Sequence, residues 1–503
     1  MNCGPSRFAA RAAMLLRHGA APTYGQERRD MTQDTMASSS IPSQYVLGMD
    51  LGTTSIKVVL LETHSRTVMD SCTLPTQAHI PSDIGMHAKE QDAGRIVDTL
   101  NECIAALPRD RLQKVIKIGV CGQMHGVVFW KTGTGCNWVK TGNGQRFRPK
   151  DTSPLITWQD GRCSGDFLSS LPQPDSHLSL ATGFGCATIC WFHRHRPDFL
   201  ADFTAAGTIH DYVVAMLCGL ERPVMSAQNA ASWGYFNTNT NQWNMEILGS
   251  LGFPVHLLPE TMESGSSAGV TCVDWHGIPA HTPVGAALGD FQCSVYSCMT
   301  DRTDAVLNIS TSAQLTFALP ADFQPPTTPD PQSPISYFPY LDGSYLAVAA
   351  SLNGGSVMAA FVAMLKDWMR ELGMDLDDSS IYPQLINAAL NQNNTDLMVN
   401  PTILGERHNT SHLGLVSNIS GSNVSLGHVT RAVCRGIVHN VCSMLPPERL
   451  LESGVKRIRG SGSALSKNEV LRQEVERAFP FPVVYGEDVD SAVGVAMILN
   501  DRI

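Results

Sequence analysis

The sequence predicts an α/β protein built from two similar domains, and three observations support this. A pair of buried strands around a Gly-Thr-Thr-Ser turn occupies Val46 to Leu61, and a similar hairpin occupies Ala305 to Leu319. Between the two hairpins, strand-like apolar runs alternate with helix-like segments. The length of 503 residues is enough for two domains that each have their own core.

The first hairpin predicts a phosphate-binding turn beside a carboxylate. Apolar residues lead to Asp50, and Gly52 then allows the backbone to approach a ligand closely. The backbone amides and hydroxyls of Thr53 and Thr54 would face an anion. A carboxylate beside a phosphate indicates a divalent cation between them, and Mg²⁺ is the usual choice. The alternative is an ordinary hairpin in which the aspartate only caps its turn.

The second hairpin repeats this pattern with an offset of 258 positions, since 308 − 50 = 258. At this offset three positions correspond: Asn308 with Asp50, Ser310 with Gly52, and Thr311 with Thr53. A repeat of this kind indicates two related domains that hold one nucleotide between them.

Composition excludes several classes of partner. The chain has 36 basic and 46 acidic residues, and the net charge of −10 argues against binding to nucleic acid or to an anionic membrane. No apolar run approaches the roughly 18 residues that span a bilayer. The 14 cysteines lack the spacing of a zinc site, so we expect reduced thiols in a cytoplasmic protein.

Residues 1–44 differ from the rest of the chain. The first 26 residues contain three arginines and no acidic residue. We expect a disordered extension, or a segment upstream of a second start at Met36. A mitochondrial transit peptide is the alternative.

Two segments of the first half predict a ligand pocket. A buried strand ends at Gly122 and leads to Met124 and His125, at the sheet edge where α/β proteins bind ligands. In LITWQDGR, Trp158, Asp160 and Arg162 occupy alternate positions and would share one face of an extended segment. An aromatic ring beside a carboxylate and a guanidinium suits a polyhydroxyl ligand. The alternatives are a structural loop histidine and a surface salt bridge.

Three later segments have the pattern of ligand-facing turns. Asp290 follows a glycine and precedes a helical stretch, so it is either a general base or a helix cap. Gly354 and Gly355 begin an apolar-periodic helix, where a flat or charged group can approach. Arg457 to Gln473 predicts a strand, a small-residue loop and a helix. Outside these segments, Lys140 to Asp151 predicts a mobile loop and Asp488 to Ala496 a helix.

The ordered strings DLGTTS, CGQMHG, TWQDGR, GFGCATICW, GDFQ, NISTS, NGGS and GSGSALSKNEVLRQ resemble the FGGY carbohydrate kinases. The resemblance implies two actin-like, ribonuclease-H-like domains, at 45–295 and 296–503, with the active site in the cleft between them. It also implies transfer of phosphate from ATP to the terminal hydroxyl of a ketose. Sedoheptulose is the expected substrate and xylulose the second choice.

The resemblance also implies roles for individual residues. Asp290 matches the catalytic base, and Asp50 matches the carboxylate that holds Mg²⁺ through water. The remaining matches fall into three groups: the first phosphate turn, Gly52, Thr53 and Thr54; the nucleotide-binding segments, Ser310, Thr311, Gly354, Gly355, Gly462 and Asn468; and the sugar pocket, Met124, His125 and Asp160, to which we add Trp158 and Arg162.

Three features depart from the family pattern, one of which is Thr188 where a lysine usually precedes the tryptophan, here Trp191. Ser310 stands where the second phosphate turn usually has glycine, and the loop GSGSALSKN is longer than the usual Gly-Gly-Gly-Ala. A function of another class also stays open, namely an actin-fold ATPase that acts as a chaperone or filament, or an inactive sugar-binding regulator. We expect ATP and a sugar as the ligands, and either a monomer or a homodimer.

Overall fold

The computed structural model describes residues 43–142, 144–374, 378–409, 411–486 and 490–503. Its strands are β1 (Tyr45–Leu51), β2 (Ser55–Glu62), β3 (Val68–Pro75), β4 (His79–Ile80), β5 (Glu90–Gln91), β6 (Val115–Gly122), β7 (Val128–Trp130), β8 (Cys136–Thr141), β9 (Gly144–Pro149), β10 (Leu155–Ile156), β11 (Ala205–Gly207), β12 (Val224–Ser226), β13 (Phe236–Asn237), β14 (Gln242–Trp243), β15 (Glu260–Met262), β16 (Ser267–Val270), β17 (Pro283–Gly285), β18 (Leu288–Gly289), β19 (Asp304–Ile309), β20 (Ala313–Ala318), β21 (Ile335–Pro339), β22 (Tyr345–Ser351), β23 (Met398–Asn400), β24 (Leu415–Ser417), β25 (Arg457–Ser461) and β26 (Val483–Tyr485).

Its α-helices are α1 (Ala93–Ala105), α2 (Arg109–Leu112), α3 (Gly165–Ser169), α4 (Gly185–His195), α5 (Pro197–Ala201), α6 (Ile209–Cys218), α7 (Ala227–Trp233), α8 (Met245–Ser250), α9 (Asp290–Cys298), α10 (Gly355–Glu371), α11 (Asp378–Leu390), α12 (Leu426–Met444), α13 (Pro447–Glu452), α14 (Ser463–Lys467), α15 (Glu469–Ala478) and α16 (Ser491–Arg502). None of the described helices is long and apolar enough to cross a membrane.

The two large sheets have a similar strand order. The first runs β16-β17-β6-β1-β2-β3, with β18 also paired to β6. The second, written in the corresponding direction, runs β26-β25-β19-β20-β22-β21, so that β25, β19 and β20 correspond to β6, β1 and β2. In each sheet the hairpin strands are antiparallel, and the first of them pairs in parallel with a later strand, β6 or β25. The predicted α/β fold with two similar halves is therefore confirmed. The exact domain limits stay a prediction.

Helices α9 and α16 lie between the two sheets, because apolar residues of both helices and both sheets share one buried cluster. The close packing of α16 against β1 and α9 depends on glycine at two positions. A Cβ atom at Gly48 in β1 would overlap the backbone oxygen of Ala492 in α16, and one at Gly494 would overlap that of Cys293 in α9. The last helix of the chain thus completes the core next to its first strand.

A buried ion pair joins helices α12 and α15 in the second half. The Arg431 guanidinium donates to the Glu474 carboxylate at 2.6 Å, and both side chains are almost fully buried. Arg435 and Arg477 also donate to Glu474, at 3.1 and 2.7 Å. Three guanidinium groups on one carboxylate fix the relative position of the two helices.

The structure differs from the sequence-based expectations at three places. Lys140 to Asp151 was expected to be a loop, but β8 and β9 form a hairpin there, with Phe147 buried as an anchor. The loop expected after β25 contains the short helix α14. The last predicted helix begins at Ser491, and Asp488 lies outside the described residues, as does the extension 1–42.

Candidate active site

Asp50 and Asp290 lie at the same edge of the first sheet. Strand β6 runs parallel to β1 on one side and to β18 on the other, so that Cys121 stands between Asp50 and Leu288. The chain then leaves β18 and begins α9 at Asp290. The carboxyl ends of parallel strands are where open α/β sheets bind ligands. The two aspartates are therefore neighbours at a binding edge.

Both carboxyl groups have raised pKa values. Burial raises the pKa of Asp290 to about 6, although the backbone N–H of Phe291 donates to it at 2.7 Å and lowers the value. Burial also raises the pKa of Asp50, and the nearby charges of Asp290 and Asp490 add to this effect. Asp490 is itself paired with Lys57. A cation bound here would relieve the repulsion between the carboxylates.

The first turn is held in place by a chain of hydrogen bonds. Gln91 Nε2 donates to the backbone oxygen of Thr53 at 2.7 Å, and Gln123 Nε2 donates to Gln91 Oε1 at 3.0 Å. Trp158 Nε1 donates to Thr53 Oγ1 at 3.0 Å. Within the described part of the chain, the backbone amides of Thr53 and Thr54 have no partner. They are therefore available to an anion, and the phosphate-binding role of this turn stays a prediction.

The second turn opens onto a cavity of about 490 Å³. Four residues predicted to bind the nucleotide line it together: Ser310, Thr311, Gly355 and Asn468. The turn and the helix start touch directly, since the backbone N–H of Gly355 donates to the Ser310 oxygen at 2.7 Å. Ser310 is not among the described residues with positive φ, so the turn forms here without glycine.

Gly354 and Gly462 were also predicted to belong to nucleotide-binding segments, and each is next in sequence to a residue that lines this cavity, Gly355 and Ser463. A Cβ atom at Gly354 would overlap the backbone of Ser312. Gly462 has φ +101°, and a Cβ there would overlap Asn308 Oδ1. Both positions therefore require glycine, which lets the two loops approach the second turn closely.

The sequence did not point to the apolar wall of the cavity. Tyr382 and Ile386 from α11, Ile437 from α12 and Leu471 from α15 line it, next to the ammonium-bearing Lys467. A flat apolar wall beside a cation suits a base and its phosphates. These residues follow ordinary helical periodicity, so their pattern in the sequence is that of core residues and does not indicate a ligand site.

A second cavity of about 620 Å³ contains His125. His125 has φ +73°, stacks on Phe184 at 4.5 Å, and has Nδ1 2.9 Å from the Ser232 backbone oxygen. Burial lowers its pKa, and the charge of Arg407 lowers it further. Because the Ser232 carbonyl oxygen can only accept, Nδ1 of the neutral imidazole is the donor in this bond, and Nε2 is left to accept from a hydroxyl. Arg407 and His408 from the second half line the same cavity.

Met124 and Trp158 lie near the two aspartates and the first turn, respectively. Met124 packs next to Asp290, because a Cβ at the preceding Gly289 would come within 2.6 Å of its sulfur. Trp158 is 43% exposed and lies beside the first turn through its bond to Thr53.

The prediction that Asp160 and Arg162 share one face of an extended segment with Trp158 is wrong. The segment turns after β10, where the N–H of Asp160 donates to the Thr157 oxygen at 3.1 Å. Asp160 is fully buried, and its carboxylate accepts from Arg162 at 2.7 and 2.9 Å. Arg162 also donates to Glu90 at 2.7 Å. The pair holds two segments together and presents no free carboxylate to a ligand.

Glu406 is a further residue that the sequence did not indicate. Its buried carboxylate accepts from Ser351, Asn353 and Asn440 at 2.6, 2.9 and 2.8 Å. Burial alone would raise its pKa, but these bonds outweigh that effect and lower it. Asn353 precedes the glycine pair beside the 490 Å³ cavity, and Arg407, which follows Glu406, lines the cavity that contains His125. This carboxylate therefore connects segments that border the two cavities.

Comparison with known proteins identifies the family. Residues 45–297 match the FGGY family of carbohydrate kinases, N-terminal domain. The human sedoheptulokinase is 58% identical over 464 residues, which are 91% of this chain and 97% of that protein. A xylulose kinase structure from Rhodospirillum rubrum superposes with a TM-score of 0.74 at 20% identity, covering 90% of this chain and 89% of its own.

A Plasmodium falciparum glycerol kinase with ADP has a TM-score of 0.72 at 17% identity, covering 91% of this chain and 89% of its own. Likeness at this identity establishes the fold. The family match, the identity over nearly the whole length and the paired aspartates together lead to one conclusion. This chain belongs to the FGGY family of carbohydrate kinases.

Proposed function

We propose that this protein transfers the terminal phosphoryl group of ATP to the terminal hydroxyl of sedoheptulose, giving sedoheptulose 7-phosphate. The observation that supports this substrate is the similarity to human sedoheptulokinase, which extends over 97% of that protein. The site contains what such a transfer needs, namely a carboxylate base, two phosphate-facing turns and a separate polar cavity. The product would enter the pentose phosphate pathway.

In this proposal Asp290 accepts the proton of the attacked hydroxyl as the oxygen bonds to phosphorus. Its burial keeps the pKa near 6, so the carboxylate is ionised at neutral pH and basic enough to accept a proton. The amides of Thr53 and Thr54 hold phosphate oxygens from one side, and the turn at Thr311 holds them from the other. The neutral imidazole of His125 contacts sugar hydroxyls.

The donor set at Asp50 fits Mg²⁺. A carboxylate next to a phosphate-binding turn, with a second carboxylate nearby, is a hard oxygen environment. The described residues contain no cluster of three metal-binding side chains, so a cation here would complete its shell with water and phosphate oxygens. When bound, Mg²⁺ neutralises charge on the transferred phosphoryl group. Asp50 would hold it through water.

The function is tested by measuring ADP release with ATP, Mg²⁺ and a panel of ketoses. We expect sedoheptulose to have the highest kcat/KM and xylulose to fall about tenfold or more below it, because a site that bonds a hydroxyl penalises an analogue that lacks it. A higher value for xylulose would exclude the proposed substrate but not a sugar kinase. ADP release that does not depend on any sugar would instead support an actin-fold ATPase.

Turnover should depend on the protonation of Asp290. Its pKa of about 6 lies above the usual value for aspartate, and only the ionised form can accept a proton. We therefore expect kcat to be constant above pH 7 and to fall tenfold per pH unit well below pH 6. Saturating sugar and ATP at each pH isolate this step. A constant kcat between pH 7 and pH 5 would exclude Asp290 as the base.

Replacing Asp50 with alanine should raise the Mg²⁺ concentration needed for half-maximal activity, because a carboxylate that holds the hydrated cation is lost. Excess Mg²⁺ should restore part of the activity. The measurement is a Mg²⁺ titration of kcat at saturating ATP. An unchanged titration curve would show that Asp50 only stabilises its hairpin.

We also propose a cytoplasmic location, with residues 1–35 unnecessary for catalysis. The composition of this extension differs from that of the rest of the chain. A chain that starts at Met36 should phosphorylate the sugar as the full chain does. Import of the full chain into mitochondria, with removal of the extension, would contradict this location.

A further inference from the structure

Two buried glutamines contact the segment that carries Asp290, the proposed base. Gln228 is the second residue of α7, and Gln292 is the third residue of α9, two positions after Asp290. Each glutamine is only 1% exposed. Glutamine side chains are mostly exposed in proteins, and a buried amide normally has hydrogen-bond partners. The bonds that these two amides make therefore indicate why they are buried at this place.

Gln228 connects the two sheets through one amide group. Its Oε1 accepts from the backbone N–H of Gly289 at 3.3 Å, and its Nε2 donates to the backbone oxygen of Tyr340 at 2.9 Å. Gly289 ends β18 in the first sheet and immediately precedes Asp290. Tyr340 directly follows β21 in the second sheet. A single planar amide thus links the segment of the base to the second sheet.

Gln292 makes a similar link to the neighbouring carbonyl. Its Nε2 donates to the backbone oxygen of Pro339, the last residue of β21, at 3.3 Å. Its Oε1 lies over Gly289, where a Cβ atom would come within 2.4 Å of it. Among the described residues this buried oxygen has no hydrogen-bond partner. A buried amide oxygen without a partner lowers stability. The stability of the fold therefore does not explain this glutamine.

Other side chains hold the same segment from within the first half of the chain. Ser226 Oγ and Asn229 Nδ2 both donate to the backbone oxygen of Ala287, at 2.7 and 3.1 Å. Ala287 immediately precedes β18, which itself pairs with β6. The two glutamines add a connection to the second sheet, and neither lines the nucleotide cavity or the cavity that contains His125.

We propose that Gln228 and Gln292 are positioning residues, which hold the Asp290 carboxylate at a fixed place relative to the second sheet. The proposal rests on the proposed function, because it requires Asp290 to be the base. Both glutamines donate to uncharged carbonyl groups, so their effect on the base is one of geometry. Supporting residues of this kind keep a reacting group within the narrow range of positions that the chemistry allows.

The place of the nucleotide explains why such a link matters. The cavity predicted to hold it is lined by residues of the second half of the chain. Asp290 lies at the edge of the first sheet, so the attacked hydroxyl must lie between its carboxylate and the phosphorus atom. Proton transfer requires the base to stay within hydrogen-bond reach of that hydroxyl. A displacement of about 1 Å can lower the rate about 10²-fold.

Gln292→Met tests this role directly, because methionine has nearly the same length and removes the oxygen that has no partner. The free energy of unfolding should therefore stay the same or rise. In contrast, kcat should fall at least about tenfold, because the link to Pro339 is lost. The KM for sedoheptulose and the nucleotide affinity should stay as in the wild type. Urea unfolding, steady-state turnover and calorimetry measure these quantities. A merely structural residue would not lower kcat without lowering stability.

Gln228→Met should lower kcat further, by about 10²-fold, because both bonds of the bridging amide are lost. Its nucleotide affinity should also stay as in the wild type. Ser226→Ala is the matched control. It removes a buried bond to the same segment, but the Ala287 oxygen keeps its bond from Asn229, and the links to the second sheet stay intact. This variant should have the kcat of the wild type.

Three results would overturn the proposal. The first is a wild-type kcat in both glutamine variants. The second is a loss of sugar or nucleotide affinity that accounts for the lower activity, since the glutamines would then act in binding. The third is an equal fall of kcat in Ser226→Ala and Gln228→Met. Asp290→Asn separates this proposal from the proposed function. If Asp290→Asn loses turnover and the glutamine variants do not, only the positioning role fails; if Asp290→Asn keeps turnover, the base itself is wrong.

Discussion

Asp290→Asn is expected to lower kcat by a factor of about 10²–10⁴, which is the usual contribution of a general base. Asparagine has nearly the same shape as aspartate, but its amide cannot take up the proton of the sugar hydroxyl. ATP binding should be unchanged because the cavity lined by Ser310 and Gly355 does not include this residue. The measurement is steady-state turnover with sedoheptulose, together with nucleotide affinity by calorimetry.

The matched control is Asp198→Asn, the same substitution at an exposed position of α5. It should leave both kcat and nucleotide affinity as in the wild type. Near-normal turnover of Asp290→Asn would remove Asp290 from the mechanism. Loss of nucleotide affinity in Asp290→Asn would indicate that the substitution disturbs the fold.

Glu474→Gln should lower the free energy of unfolding by about 3–5 kcal/mol, because it leaves buried guanidinium charge uncompensated. Arg431 is fully buried and has its charge balanced by Glu474, which also accepts from Arg435 and Arg477. A neutral amide of the same size removes the charge without creating a cavity. The change is measured as a shift of the urea midpoint at constant slope.

Glu469→Gln provides the comparison on the same helix. Glu469 is 54% exposed on its side chain and pairs with Arg472 one turn away at 3.7 Å. Exposed pairs of this kind contribute little to stability, so the urea midpoint should stay as in the wild type. Equal midpoints for Glu469→Gln and Glu474→Gln would show that the buried cluster does not stabilise the fold.

The parts of the fold that could be predicted are those in which local pattern and three-dimensional role agree. Both hairpins have apolar strands around a small-residue turn, and the structure confirms their pairing and their repeat. Asp50 and Asp290 could be singled out because each follows a buried strand and precedes a turn or a helix. The pairing of β1 and β18 with β6 in the structure then places them at one sheet edge.

The remaining parts depend on contacts between distant segments. Asp160 and Arg162 have the alternation of an exposed strand, but their mutual attraction and the bond from the Lys89 amide turn the segment inward. Phe147 anchors a hairpin in a stretch whose composition is that of a loop. Glu406 could not be singled out from its neighbours, because the residues that bond its carboxylate, Ser351 and Asn440, are far from it in the sequence.

The position of α16 bears on how the chain folds during its synthesis. The ribosome releases the first sheet long before it has made Ser491–Arg502, yet the cluster between the sheets includes Val46 as well as Val495. Until the twelve residues of α16 emerge, β1 has an uncovered apolar face at Gly48. Such a face invites aggregation and chaperone binding. A nonsense mutation that removes Ser491–Arg502 would therefore leave β1 without its covering helix.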